Sequence, residues 1–235
     1  VGSGDLEGEV DFFGSQLGVL PVETVKLKVK ASDSVLNFES ISAIVAGVSL
    51  TGSGKLATVR DAVAQELHLS FESDNLEGLR PLWLGSDVIA RDTLTSLSRE
   101  IFILDGINPD TFPLEEEIAT EGQMSGQLVL SGSLQETGLV GGVVFSSTRY
   151  GSNKVGLASI DFSAVDLFAP SVRMDFQLDA DSLDIMGRSF DSLSVRMSYS
   201  DPRGEVDLFL MRSKDENYQA RIAFEDAFPA RLLNI

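Results

Sequence analysis

The residues of this chain that could do chemistry are few, and their spacings argue against catalysis. Thr51-Gly52-Ser53-Gly54-Lys55-Leu56 sets glycine amides beside a lysine, as a phosphate-cradling loop does. Such a loop also needs an upstream glycine, where Ser49 stands, and a magnesium-binding Ser or Thr after the lysine, where Leu56 stands. No parallel strand-to-helix unit surrounds it, so the expectation is a glycine-rich hairpin turn. Asp105, Asn108 and Asp110 offer oxygen ligands but lack the glycine and distal glutamate of a calcium loop, and read as an acidic turn. His68 is the one histidine and falls on the polar parity of its segment, where a solvated surface role is expected. There is no cysteine, which excludes disulfides, thiolate nucleophiles and zinc-thiolate sites. The expectation is no catalytic residue, no metal, no cofactor and no enzyme.

Lys and Arg total 18 against 36 Asp and Glu, a formal net charge of −18 that repels phosphate backbones and excludes nucleic acid as an expected partner. No apolar run reaches the roughly 18 to 20 residues of a membrane-spanning helix. The start, Val1-Gly2-Ser3-Gly4, and the apolar end, Leu232-Leu233-Asn234-Ile235, both read as cuts within a longer protein.

The dominant pattern is period-two alternation, which gives a strand one apolar and one polar face. Val25, Leu27 and Val29 alternate with lysines, and Leu67, Leu69 and Phe71 with polar residues. Val172, Met174, Phe176 and Leu178 repeat the pattern, as do Leu193, Val195, Met197 and Tyr199. Val206, Leu208 and Leu210 follow the polar cluster Asp201-Pro202-Arg203-Gly204, and Tyr218, Ala220, Ile222 and Phe224 follow Lys214-Asp215-Glu216-Asn217. Both clusters predict hairpin turns, and the spacing predicts an antiparallel meander. Phe209 and Ala223 sit on the polar parity and Phe190 is out of phase with Leu193, which predicts bulges or covered outer surface there.

Between Asp74 and Glu121 the spacing changes. Leu76, Leu79 and Trp83, then Ala90, Leu94, Leu97 and Ile101, recur at three and four, predicting one or two short helices before an acidic, proline-containing loop. The expected organisation is therefore a first β-repeat stretch at 1–73, a helical or irregular insert at 74–121, and a second β-repeat stretch at 122–235.

Gly8-Glu9-Val10-Asp11-Phe12-Phe13-Gly14 and Gly126-Gln127-Leu128-Val129-Leu130-Ser131-Gly132 form a faint glycine-bracketed repeat, with Gly47-Val48-Ser49-Leu50-Thr51-Gly52 as a third copy. Together with Leu139-Val140-Gly141-Gly142-Val143-Val144-Phe145 and the strand through Ile160 and Phe162, these units resemble those of the AsmA-like family, the translocation and assembly module (TamB) group. The resemblance implies an all-β fold, a long antiparallel sheet curled into a β-taco-like trough with a short helical insert. It further implies a periplasmic segment of an inner-membrane-anchored protein that carries phospholipid acyl chains towards the outer membrane, with an outer-membrane barrel of the TamA type as a partner. The trough-lining residues are then Val25, Leu27, Val29, Leu67, Leu69, Phe71, Leu128, Leu130, Val172, Met174, Phe176, Leu178, Leu193, Val195, Met197, Val206, Leu208, Leu210, Ile222 and Phe224. The same alternation also suits a closed β-sandwich binding module, or a scaffold whose open edges pair with strands of unfolded barrels.

Overall fold

The computed structural model describes residues 6–17, 20–32, 34–59, 65–79, 120–133, 136–167, 171–185 and 187–225. They form twelve strands: β1 (Leu6–Leu17), β2 (Leu20–Ala31), β3 (Val35–Val45), β4 (Val48–Ala57), β5 (Gln65–Ser73), β6 (Thr120–Gly132), β7 (Thr137–Tyr150), β8 (Asn153–Val165), β9 (Arg173–Ile185), β10 (Arg188–Ser200), β11 (Arg203–Ser213) and β12 (Glu216–Glu225). Each pairs antiparallel with its sequence neighbours in one open, at most weakly curled sheet, in order β1 to β12. Strands that alternate and are joined by short turns reach this arrangement without any crossover. The first and second β stretches join directly, because β5 pairs with β6 across the intervening segment.

Cross-strand partners share a face, so the register sorts every side chain. One row runs Val10, Leu27, Ile41, Gly52, Leu69, Leu128, Gly141, Phe162, Phe176, Met197, Val206 and Ile222, one residue from each strand. The neighbouring row on that face runs Phe12, Val25, Ala43, Leu50, Phe71, Gly126, Val143, Ile160, Leu178, Val195, Leu208 and Ala220. A single apolar face therefore crosses all twelve strands. The opposite face carries Lys26, Ser42, Thr51, Ser70, Gln127, Asp161, Gln177, Arg196, Asp207 and Arg221 in its own row.

The glycines of the repeat acquire a reason here. Phe71 is paired with Gly126, Phe162 with Gly141, and Phe224 with Gly204. A Cβ on those glycines would lie 2.5, 2.5 and 2.1 Å from the facing ring carbon, so each ring lies down over its glycine partner. Aromatic cover of a cross-strand glycine compensates the missing side chain and keeps the face low. Gly141→Val is expected to push Phe162 off the sheet and to cost about 1–3 kcal/mol by overpacking, read as a lowered denaturant midpoint.

The phase slip at Phe190 belongs to four strands at once. Phe145 and Thr148, Val155 and Ala158, Ala180 and Leu183, and Phe190 and Leu193 are each three apart, and these pairs stand in register with one another. Ser147 and Ser182, at φ 52° and 58°, take the left-handed turn that resets the alternation, and Leu183 is 4% exposed as a result. Phe209 and Ala223, by contrast, lie in unbroken register opposite Gln219 and Glu205 and stand on the polar side.

One expectation needs correction. Thr51-Gly52-Ser53-Gly54-Lys55 is no hairpin turn: it lies inside β4, where Gly52 and Gly54 face Leu69 and Leu67. Gly54 (φ 146°) and Gly52 leave no room for a Cβ against the β5 backbone, so close strand approach, and not a turn, selects glycine. Of the expected insert at 74–121, the described residues are 74–79, which carry the 3-10 turn Glu77–Leu79, and Thr120 and Glu121, which already open β6. Trp83, the Ala90–Ile101 spacing and Asp105, Asn108 and Asp110 lie outside the described residues.

Candidate functional site: the apolar face

Twelve strands at the usual spacing of about 4.8 Å make this face about 50 Å long. Of the twenty residues expected to line a trough, nineteen fall on it in register. Val172 is the exception, lying just before β9 with its carbonyl accepting from the Asp201 amide. All twenty are half-buried except Ile222, which is 57% exposed. Side chains sandwiched between two sheets would be mostly buried. Among the described residues, strands contact their sequence neighbours in the sheet, and no second layer covers the face apart from the 3-10 turn. Sequence reasoning missed Ile41, Ala43 and Val143, because Ile44 and Val144 on the opposite face blur the alternation around them.

The one described cover is at the rim where the chain turns after odd-numbered strands. Leu76 and Leu79 of the turn pack on Ala46 and Val48, bordered by Leu20, Val45, Phe71, Met124 and Phe145. Gly78 sits so close to Ala46 that a Cβ would lie 2.0 Å from its carbonyl oxygen. Polar ties hold the turn down: Ser73 Oγ donates to the carbonyls of Gly47 and Asn75, Asn75 Oδ1 accepts from the Glu77 amide, and Glu77 Oε2 accepts from the Thr120 amide. At the opposite rim Gln65 and Thr137 are buried on the apolar parity. Gln65 Nε2 donates to Thr137 Oγ1 at 2.7 Å, and Thr137 Oγ1 donates to the Ser133 carbonyl at 2.7 Å, so neither is left unsatisfied.

The polar face is laced with exposed ion pairs. A β-bulge sets Glu39 as an extra residue between the Lys28–Ser40 and Val29–Phe38 pairs, where its carboxylate meets both Lys28 Nζ and Lys30 Nζ. Hydrogen bonds from the two ammonium groups hold the Glu39 carboxyl down to about 2. A depressed carboxylate contributes stability above its ordinary range and loses it as pH falls through the folded value. Amide exchange in β2 and β3 is therefore expected to quicken as pH falls from about 4.5 to 2 beyond the intrinsic change, and Glu39→Gln to abolish the dependence. Arg221 bridges Asp207 and Glu205, at 2.6 and 2.9 Å, and its hydrogen bond lowers the Asp207 carboxyl. His68 is exposed and paired with Glu66 at 2.9 Å. A depression lined by Val140, Asp161, Gln177, Arg196 and Asp207 lies on this polar side.

Among the described residues no group of three or more His, Cys, Asp or Glu is placed to hold a metal, and no helix is long and apolar enough to cross a membrane. What the described geometry supplies is a broad apolar surface. No protein-family profile, curated protein or solved structure matches the chain.

Proposed function

We propose that this sheet presents its apolar face to phospholipid acyl chains, as a periplasmic segment of an inner-membrane-anchored protein that carries lipid towards the outer membrane and supports its biogenesis. The observation that supports the reading is the single face of half-exposed apolar side chains in register across twelve strands. Water wets such a face poorly, and each methylene moved onto it from water gains about 0.8 kcal/mol. Against a bilayer the gain nearly cancels, so the face lowers the barrier to movement without giving it direction. Native mass spectrometry of the purified chain is expected to find bound phospholipid. A lipid-free spectrum, with no uptake from vesicles, would count against the proposal.

A second reading rests on the edges. Among the described residues β1 pairs only with β2, and β12 only with β11, and β1 exposes Phe12 and Phe13 at 51% and 66%. Unpaired edges can template added strands, so a scaffold that pairs with unfolded barrel segments, with an outer-membrane barrel as partner, also fits. Photocrosslinks from β1 or β12 to such segments are its expected mark.

A further inference from the structure

The two halves of the rim that follows odd-numbered strands differ in cover and in charge. Along β2 to β6 this rim carries Glu23, Glu72, Asp74, Glu77 and Glu121, with no Lys or Arg among the described residues, and the 3-10 turn closes it. Along β7 to β12 it carries Arg149, Lys154, Arg188, Arg212 and Lys214 against Asp184, Asp191, Asp215 and Glu216, and no described element covers it. Arg212 is engaged by Glu216, and Arg149 donates to the Gly151 carbonyl. Lys154, Arg188 and Lys214 form no ion pair among the described residues.

These three cations flank the β7–β8, β9–β10 and β11–β12 turns, one for every two strands, hence about 10 Å apart along the rim. Arg188 shares the parity of Phe190 and stands where the apolar rows end, Lys214 lies in the β11–β12 turn, and Lys154 stands on the polar parity of the same rim, across from Arg149 and Asp184. The corresponding cations of the opposite rim are neutralised, Arg173 by Asp166 and Arg203 by Glu225. The chain's net charge of −18 does not erase such a local pattern, because charges are screened beyond about 8 Å at physiological ionic strength.

We propose that the rim of β7 to β12 is a lateral portal, at which Arg188 and Lys214 receive the phosphate of a phospholipid whose acyl chains lie on the adjoining apolar face. The proposal rests on the lipid-carrying reading and deepens it: acyl chains enter sideways at the half of the rim that no described element covers, and the 3-10 turn shuts the acidic half against them. A lipid phosphate is preferred to free phosphate because the cations border an apolar surface and are not gathered into one closed cradle.

The test compares uptake of dioleoyl phosphatidylglycerol and of dioleoylglycerol, which has the same acyl chains and no phosphate, by native mass spectrometry of the 235-residue chain. The unaltered chain is expected to favour the phospholipid about tenfold. R188E/K214E is expected to bring the ratio to parity with diacylglycerol uptake unchanged, while K26E/K55E, on the polar face, leaves the ratio as it was. Retained diacylglycerol uptake shows that the reversed variant is folded. A preference that survives the double reversal, or equal uptake by the unaltered chain, overturns the portal and leaves the acyl face standing. Inorganic phosphate that binds the rim without being displaced by phosphatidylglycerol overturns the lipid assignment. Uptake of neither lipid overturns the acyl face and the portal together.

Discussion

Phe176→Asp and Val195→Asp are each expected to abolish lipid uptake by the chain and lipid transfer by any longer protein that contains it, while the sheet still folds. Phe176 lies in the row with Phe162 and Met197, and Val195 in the next row with Leu178 and Leu208, at the middle of the β8 to β11 surface. Both are half-buried, so a carboxylate there keeps part of its water in the empty protein and the fold tolerates it. Once acyl chains cover the face, that carboxylate sits in hydrocarbon, at a cost of about 3 kcal/mol by insertion scales. The factor is roughly a hundredfold in occupancy. Ser70→Asp puts the same charge on the polar face and is expected to leave uptake unchanged. Circular dichroism checks the fold, and a vesicle-to-vesicle transfer assay reads the loss. Normal transfer by folded Phe176→Asp would remove the acyl chains from this face.

The second large effect concerns stability. Leu76 is 0% exposed and packs, with Leu79 of the 3-10 turn, against Ala46 and Val48. Leu76→Ala is expected to cost about 3 kcal/mol, within the range for a leucine truncated in a packed site. Gly78→Ala is expected to act at the same place by another route, because its Cβ would overlap the Ala46 carbonyl oxygen. Both are expected to speed amide exchange at Ala46, whose N–H donates to the Pro21 carbonyl, and at Val48, while β9 to β11 keep their protection. The contrast between the two regions is the diagnostic part: equal loss in both would mean that the turn stabilises the whole sheet and not one rim.

Much of this fold is written in the alternation. Val25-Lys26-Leu27-Lys28-Val29 and Val195-Arg196-Met197 declare their faces directly, and polar clusters such as Asp201-Pro202 declare the turns. Pairing of neighbours follows, since short turns leave an antiparallel strand little else to pair with. Other features depend on partners distant in sequence. Gly52-Ser53-Gly54 resembles a turn by composition, and only β5 lying against it shows that the glycines make room for a backbone. Phe190 looks like a local defect until Ser147 and Ser182 are seen to reset the frame in neighbouring strands. Glu39 gains its two lysines only through the bulge. Leu76 and Leu79 were legible as a spacing of three, but a 3-10 turn and a longer helix share that spacing over so short a run.

The absence of cysteine offers a direct test of the central claim, since a single introduced thiol takes a fluorophore uniquely. Val195→Cys places the label on the apolar face and Arg196→Cys places it on the polar face of the same strand. Phospholipid brominated on its acyl chains is expected to quench the label at 195 strongly and the label at 196 little. Equal quenching at the two positions, or none at 195 while lipid is bound, would contradict an acyl-carrying face.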